Sequence, residues 1–155
     1  QISIKRIYTP FEVRNLSYYT NSSVNFENQQ VNNEIDLPPK TFDYERLVKN
    51  SGNIDEIIYE MVNLFVHYWA EYFNDVKENC NLGRIEKLKK SAHKLKGTAL
   101  QAGAMKLGGI LKNLEILETD EIDGNIFELI KQAESEFINY KNELANYQQF
   151  KTILN

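Results

Sequence analysis

Hydrophobic residues in the C-terminal three quarters of the chain recur at helical spacing, in segments separated by short polar stretches. The first segment, with Asp43 as a possible N-cap, predicts a short helix that ends near Ser51 and Gly52. A second, long helix is then predicted, with Asn53 or Asp55 as its cap. Its apolar residues form one broad stripe at helical spacing: Ile54, Ile57, Ile58, Met61, Phe65, Tyr68 and Tyr72.

Three more segments follow the polar stretch at residues 78–83, which is predicted to end the second helix. The third helix is predicted from about Arg84, with Gly103 as a plausible C-terminal cap. One narrow face of it carries small or apolar residues: Leu88, Ala92, Leu95, Ala99 and Ala102. The fourth helix is predicted to end near Glu118, and the last to span roughly 125–150. Their stripes are Leu107, Ile110, Leu111, Leu114 and Leu117, then Ile126, Ile130, Ala133, Phe137, Tyr140, Leu144 and Tyr147.

Short connections between long amphipathic helices favour antiparallel neighbours. We therefore predict that residues 41–155 form an all-α domain, an antiparallel up-and-down four-helix bundle with a short preceding helix. Residues 1–40 are rich in Asn, Gln and Ser and contain all three prolines. They are predicted to be a linker or a docked, extended N-terminal arm. Within the fourth helix, Gly108 and Gly109 either permit close packing against the third helix or bend the fourth.

Composition narrows the classes of function. A net charge of -4 and a pI near 5.3 argue against nucleic-acid binding, which depends on many phosphate contacts. No segment is apolar enough to cross a bilayer or to resemble a signal peptide, so we expect a cytoplasmic location without membrane contact. The single cysteine, Cys80, is placed in the turn before the third helix and cannot form an internal disulfide. With two histidines and no Glu-x-x-His pair, neither a metal site nor a cofactor is expected.

The candidate chemistry lies on the third helix. His93, Lys96 and Gly97 have i, i+3 and i+4 spacing and share one face, whereas the small apolar residues point toward the core. His93 is therefore predicted to be exposed. A glycine in this helix costs about 1 kcal/mol relative to alanine, and without a β-carbon it lets another molecule approach the imidazole. The other histidine, His67, lies off the apolar stripe and is predicted to be a surface or edge residue.

The charge around His93 is unusual for this acidic chain. Between Arg84 and Lys96 there are six basic residues and one acid, and Lys87, Lys90 and Lys94 contribute to a positive surface. Nearby ammonium groups disfavour protonation of an imidazole, and a neutral imidazole can act as a nucleophile. The same groups would stabilise an anion carried on the ring. A solvated surface histidine among lysines shows the same pattern, so the spacing alone leaves both interpretations open.

The stretch AHKLKGTALQAGA, residues 92–104, resembles the signature of histidine-containing phosphotransfer (HPt) domains, written H-x-L-K-G followed by small residues and G-A. Every fixed position of that signature is filled: His93, Leu95, Lys96, Gly97, Gly103 and Ala104. The family usually has a larger apolar residue where this chain has Ala102, which loosens a core position and leaves the chemistry unaffected. The resemblance covers about residues 42–150 and does not account for the first 40 residues.

The resemblance implies that His93 accepts a phosphoryl group from the aspartyl phosphate of a response-regulator receiver domain and passes it to another receiver. Lys96 would lie near the phosphoryl oxygens, and Gly97 would leave room for the receiver to dock. Glu115 matches the position of a polar residue that hydrogen-bonds the second ring nitrogen; the alternative is a surface acid paired with Lys112 or another lysine. The receiver, and not this chain, would bring the aspartate and a magnesium ion.

The sequence contains no nucleotide-binding glycine motif, so the chain is predicted to be a phosphocarrier and not an enzyme. The Asn-rich arm resembles an interdomain linker, which suggests a module of a hybrid sensor histidine kinase. Two alternatives stay open. A helical adaptor would bind an acidic partner through the basic third helix without phosphate chemistry. The phosphoacceptor domain of a chemotaxis-type kinase would receive phosphate from ATP through a separate kinase domain. The sequence does not predict the oligomeric state.

Overall fold

The computed structural model describes residues 38–155, so the predicted arm lies, except for its last three residues, outside the described residues. The described part contains five α-helices and no strand: α1 Tyr44–Asn50, α2 Asp55–Asn81, α3 Ile85–Gln101, α4 Met105–Glu115 and α5 Gly124–Leu144. A 3-10 turn, Gln148–Phe150, follows α5. The all-α prediction is confirmed over this part of the chain. None of its helices is both long enough and apolar enough to span a bilayer.

The helices pack as a bundle around one continuous hydrophobic core. α3 contacts both α2 and α4, and α5 contacts both α4 and α2. Aromatic rings join the two ends of the described chain to this core. The Phe42 ring, before α1, lies 5.5 Å between centroids from Tyr140 of α5 and 5.1 Å from Tyr147. The segments that flank the bundle are therefore part of its packing.

Helix caps were predicted correctly for α1 and wrongly for α2. Asp43 is the N-cap of α1, and its side chain accepts a hydrogen bond of 3.0 Å from the backbone N–H of Arg46. The N-cap of α2 is Ile54, which makes no side-chain capping bond. Asn53 adopts a left-handed conformation, with φ of 61°, in the turn between the helices. Asp55 is already the first residue of α2, so neither predicted residue caps it.

α2 ends at Asn81, inside the stretch 78–83 that was predicted to end it, and includes the first four residues of that stretch. The helix continues because its buried stripe does: Ile58, Val62, Phe65, Trp69, Phe73, Val76 and Cys80. Gly83, with φ of 66°, then supplies the left-handed residue that commonly follows a helix. Ile54 and Ile57 are exposed, so the stripe was predicted too far toward one side of the helix.

α4 and α5 are shorter than predicted. α4 ends at Glu115 and not near Glu118, and α5 ends at Leu144 and not near residue 150. The apolar pattern extends beyond α5 because the chain turns and buries Phe150, whose ring centroid lies 5.9 Å from that of Phe42. A buried aromatic residue in a turn cannot be distinguished by spacing alone from one more turn of helix.

Two glycines fix the α3–α4 hairpin. Gly103 follows α3 with φ of 74°, as expected for a C-terminal cap, and its carbonyl accepts a 2.8 Å hydrogen bond from the N–H of Asp43. A β-carbon at Gly103 would lie 2.7 Å from the Asp43 carbonyl oxygen, so this turn has no room for one. A β-carbon at Gly108 of α4 would overlap the Leu100 side chain of α3, which supports the close-packing interpretation of that residue. The two helices therefore lie close together.

Candidate functional site

α3 turns His93 away from the core. The buried residues of this helix are Ile85, Leu88, Ala92, Leu95 and Ala99. His93 lies on the opposite face, and its side chain is 66% exposed. The structure thus has the exposed imidazole that the helical spacing predicts.

α4 brings one carboxylate to this imidazole. Oε1 of Glu115, the last residue of α4, lies 2.5 Å from Nδ1 of His93. Nζ of Lys96, one turn after His93 on α3, donates to Oε2 of the same carboxylate. The side chains of Lys96 and Glu115 are each 21% exposed, so their ion pair is partly shielded from water. The carboxylate therefore contacts both His93 and a lysine, and that lysine is Lys96 and not Lys112.

The charge on Glu115 determines where the ring proton of His93 lies. Partial burial acts to raise the pKa of the Glu115 carboxyl, but hydrogen bonds from Lys96 and His93 outweigh burial and hold that pKa below its ordinary value. Glu115 is therefore ionised at neutral pH, and a carboxylate only accepts hydrogen bonds. Nδ1 of a neutral His93 must then carry the ring proton, which leaves the lone pair on Nε2.

The surface around His93 is open and positively charged. Gly97 is exposed one turn along α3, and a β-carbon added there would meet no atom within 4 Å among the described residues. Packing inside the domain therefore does not require a glycine at this position. Lys87, Lys90 and Lys94 are also exposed on α3. We call Gly97 and these three lysines the α3 surface.

The other histidine and the cysteine both lie on α2. His67 is exposed, and its ring centroid lies 4.9 Å from that of Tyr68. Cys80 was predicted in a turn but occupies the last turn of α2, where it is buried at a core position, and burial raises the pKa of its thiol. Residues 38–155 contain no group of three or more His, Cys, Asp or Glu side chains placed to hold a metal ion.

A second carboxylate cluster was not predicted. Glu136 of α5 is only 3% exposed and accepts hydrogen bonds from Oγ1 of Thr41 at 2.6 Å, Nδ2 of Asn139 at 3.1 Å and Nζ of Lys106 at 3.1 Å. Burial acts to raise the pKa of Glu136, but these donors outweigh it and lower the pKa. One feature of the sequence indicates that Glu136 is buried: it lies three residues after the buried Ala133 and so falls within the apolar stripe of α5.

The family of this chain follows from comparison with known proteins. The family model described as the Hpt domain matches residues 60–146, more than half of the chain and all of α3 and α4. Searches of the curated proteins and of the solved structures give no match. Hpt domains act in histidine phosphotransfer within phosphorelays, where they interact with receiver domains and carry phosphate without an ATP site of their own. On the strength of that match, the chain belongs to the Hpt domain family.

Proposed function

We propose that this domain carries a phosphoryl group on Nε2 of His93, received from the aspartyl phosphate of one receiver domain and passed to another. The observation that carries the proposal is the environment of His93. Its Nδ1 lies 2.5 Å from Oε1 of Glu115, while the His93 side chain is 66% exposed. The carboxylate occupies one ring nitrogen from the protein side. The other nitrogen is left to an incoming partner.

The transfer step needs little from the domain beyond this arrangement. The Nε2 lone pair of His93 forms the N–P bond while the P–O bond to the receiver's aspartate breaks, and the aspartate carboxylate leaves with that electron pair. The ring keeps its proton on Nδ1, so positive charge develops on the imidazole beside the Glu115 carboxylate, which stabilises it. Return of the phosphoryl group to a receiver reverses these bond changes. Such transfers depend mainly on positioning and charge neutralisation.

The α3 surface is proposed as the receiver-binding surface. The open space at Gly97 supports this. A glycine destabilises a helix, and packing within the domain does not require one here, so its effect is to leave room for a partner. The exposed Lys87, Lys90 and Lys94 favour a partner with an acidic face, and such charges mainly accelerate association. We also retain the prediction that Lys96 lies near the phosphoryl oxygens of the phosphorylated ring.

The wider context is part of the same proposal. Residues 41–155 would be the Hpt domain, with α2 to α5 arranged as an antiparallel up-and-down four-helix bundle. Residues 1–40 would be a linker or docked arm within a hybrid sensor histidine kinase in the cytoplasm. The phosphorylated aspartate and its magnesium ion would belong to the receiver, while this chain would contribute no cofactor and contact neither nucleic acid nor membrane. Contacts between helices that are consecutive in the chain, α2 with α3, α3 with α4 and α4 with α5, support this arrangement.

Incubation with a radiolabelled, phosphorylated receiver tests the function. We expect the wild-type domain to take up acid-labile, base-stable label, and His93→Gln to abolish uptake. His67→Gln is the matched control, because it removes the other exposed histidine and should keep full uptake. A wild-type domain that takes up no label, or label that persists in His93→Gln, would refute the proposal.

The same experiment separates the two alternative functions. A helical adaptor would take up no label, and His93→Gln would bind its partner as tightly as the wild type does. A phosphoacceptor domain of a chemotaxis-type kinase would be labelled from ATP through its kinase domain and not from the receiver. Labelling from each donor in turn, with both histidine variants, distinguishes these cases.

A further inference from the structure

α4 presents a face to solvent that packing inside the domain does not explain. Gly109, Lys112 and Ile116 are all exposed, and their i, i+3 and i+7 spacing places them on one side of the helix. We call these three residues the α4 face. Ile116, the C-cap of α4, is 57% exposed although its side chain is wholly apolar.

The two adjacent glycines of α4 have different surroundings. A β-carbon at Gly108 would overlap Leu100 of α3, whereas one at Gly109 would meet no atom within 4 Å among the described residues. A glycine inside a helix lowers its stability relative to alanine, so Gly109 costs stability without relieving a contact inside the domain. Gly97 of α3 has the same open surroundings. Each of the two helices that form the His93 site therefore carries an exposed glycine that internal packing does not require.

The α4 face begins next to the reactive ring. Ile116 directly follows Glu115, whose carboxylate contacts Nδ1 of His93 on the neighbouring helix. A stable protein interface covers about 800 Å² on each partner, far more than one side chain. A protein seated on His93 is therefore large enough to cover the last turn of α4 as well.

The charge of α4 favours the same partner as the charge of α3. Lys112 is exposed, and Glu115, the only acidic residue of α4, is already bound by Lys96. This side of the site is therefore positive, although the chain as a whole carries a net charge of -4. An acidic partner that is attracted to the α3 surface is attracted to the α4 face too.

We propose, building on the function proposed above, that the receiver docks across both helices. Its acidic face lies against the lysines, and an apolar patch beside that face covers Ile116 and closely approaches Gly109. Ile116 then supplies an apolar contact and the lysines a polar rim, which is the usual composition of a protein interface. The α4 face also selects among receivers, because only a receiver with an apolar patch in this position buries Ile116.

Titration calorimetry with unphosphorylated receivers measures docking without phosphate transfer. For the receiver of a panel that binds the wild type most tightly, Ile116→Ser should raise the Kd about tenfold, as for the loss of one buried aliphatic side chain. Ile138→Ser is the matched control and should keep the wild-type Kd, because Ile138 is 55% exposed but lies on α5. Gly109→Ala should raise the Kd severalfold and also raise the midpoint of urea denaturation, so that its weaker binding cannot result from unfolding.

The outcomes separate this docking surface from the function on which it builds. Equal Kd values for Ile116→Ser and Ile138→Ser would overturn docking on α4, whether or not His93 takes up phosphate. Wild-type affinity in Gly109→Ala would overturn the close approach at that residue. Weaker binding in Ile116→Ser, by a domain whose wild type takes up no phosphate from the same receiver, would support the docking surface and refute the phosphocarrier function.

Discussion

Two glutamates in this domain have similar partners in different surroundings. Glu115 accepts from Lys96 and contacts Nδ1 of His93, whose side chain is 66% exposed. Glu136 accepts from Lys106, Thr41 and Asn139, and is itself only 3% exposed. In both clusters the donors outweigh burial and lower the pKa of the carboxyl. The chemistry of the carboxylates is therefore the same. The clusters differ in that Glu136 is more deeply buried than Glu115, which is 21% exposed, and in that only Glu115 has an imidazole among its partners.

This difference separates a structural cluster from a reactive one. Every donor to Glu136 belongs to a segment that the cluster holds in place: Thr41 precedes α1, Lys106 is on α4 and Asn139 is on α5. The donors to Glu115 include a ring with a second nitrogen and an exposed face. A histidine bound on one side and exposed on the other can react while its orientation stays fixed.

The largest expected effects come from removing each carboxylate. Glu136→Ala should lower the free energy of unfolding by about 2 kcal/mol, because it removes a buried carboxylate that accepts three hydrogen bonds. The folded protein should take up phosphate from a receiver at the wild-type rate. Glu115→Ala should slow uptake about tenfold, because it removes the group that orients His93, and should change stability by less than about 0.5 kcal/mol. Urea denaturation and receiver-dependent labelling measure the two effects.

The comparison depends on the two effects being separate. His67→Gln serves as a control in both assays, because it changes an exposed residue of α2 and neither cluster. If Glu115→Ala destabilised the domain as much as Glu136→Ala does, the His93 cluster would be structural. If Glu136→Ala slowed uptake by the folded protein, the buried cluster would take part in function.

The sequence predicted most of the fold because the helices are amphipathic and their connections are short. The face of α3 opposite the core was predicted from spacing alone, and with it the exposure of His93. The end of α2 was predicted only to within the stretch 78–83, because the polar residues of that stretch conceal one more buried position, Cys80. The end of α5 was missed, since the buried Phe150 continues an apolar pattern in a turn.

The contacts between the residues of the site were harder to predict than the residues themselves. Residues one turn apart on a helix can be identified from spacing, so His93 and Lys96 were found together. The contact between Lys96 and Glu115 joins two helices and depends on how deeply α4 packs on α3, which is set by Gly108. The cluster of Glu136 joins residues far apart in the chain, and only the position of a charge within an apolar stripe indicated it.

Two glycine substitutions should change the free energy of unfolding by about 1 kcal/mol each, in opposite directions. Gly97 has helical backbone geometry and open space, so Gly97→Ala should raise the free energy of unfolding by about 0.5–1 kcal/mol. Gly103 has φ of 74° and the Asp43 carbonyl beside it, so Gly103→Ala should lower the free energy of unfolding by more than about 1 kcal/mol. The midpoint of urea denaturation gives both signs.

The rate of phosphotransfer should not follow these changes in stability. Gly97→Ala adds a methyl group to the α3 surface, so phosphotransfer from a receiver to this variant should be slower although the domain is more stable. Transfer by folded Gly103→Ala should match the wild type, because Gly103 is buried against Asp43 and Phe42 and is not exposed to a docking partner. A Gly97→Ala domain that is more stable and equally fast would mean that the receiver does not dock over this position.

The smallest effect is a pH dependence that differs between the two carboxylates. The pKa values of Glu115 and Glu136 are both lowered in the folded domain. Each group therefore adds stability above the unfolded carboxyl pKa of about 4.3, and this contribution is lost as the pH falls through the folded value. The melting temperature should fall below about pH 4.3, less steeply in Glu115→Ala and in Glu136→Ala than in the wild type. The Glu115 side chain is 21% exposed and the Glu136 side chain 4%, and salt screens exposed charges more than buried ones. High salt should therefore reduce the difference between the wild type and Glu115→Ala more than the difference between the wild type and Glu136→Ala. Equal salt effects in both variants would show that the two carboxylates are equally shielded from water, contrary to the distinction between a reactive and a structural cluster.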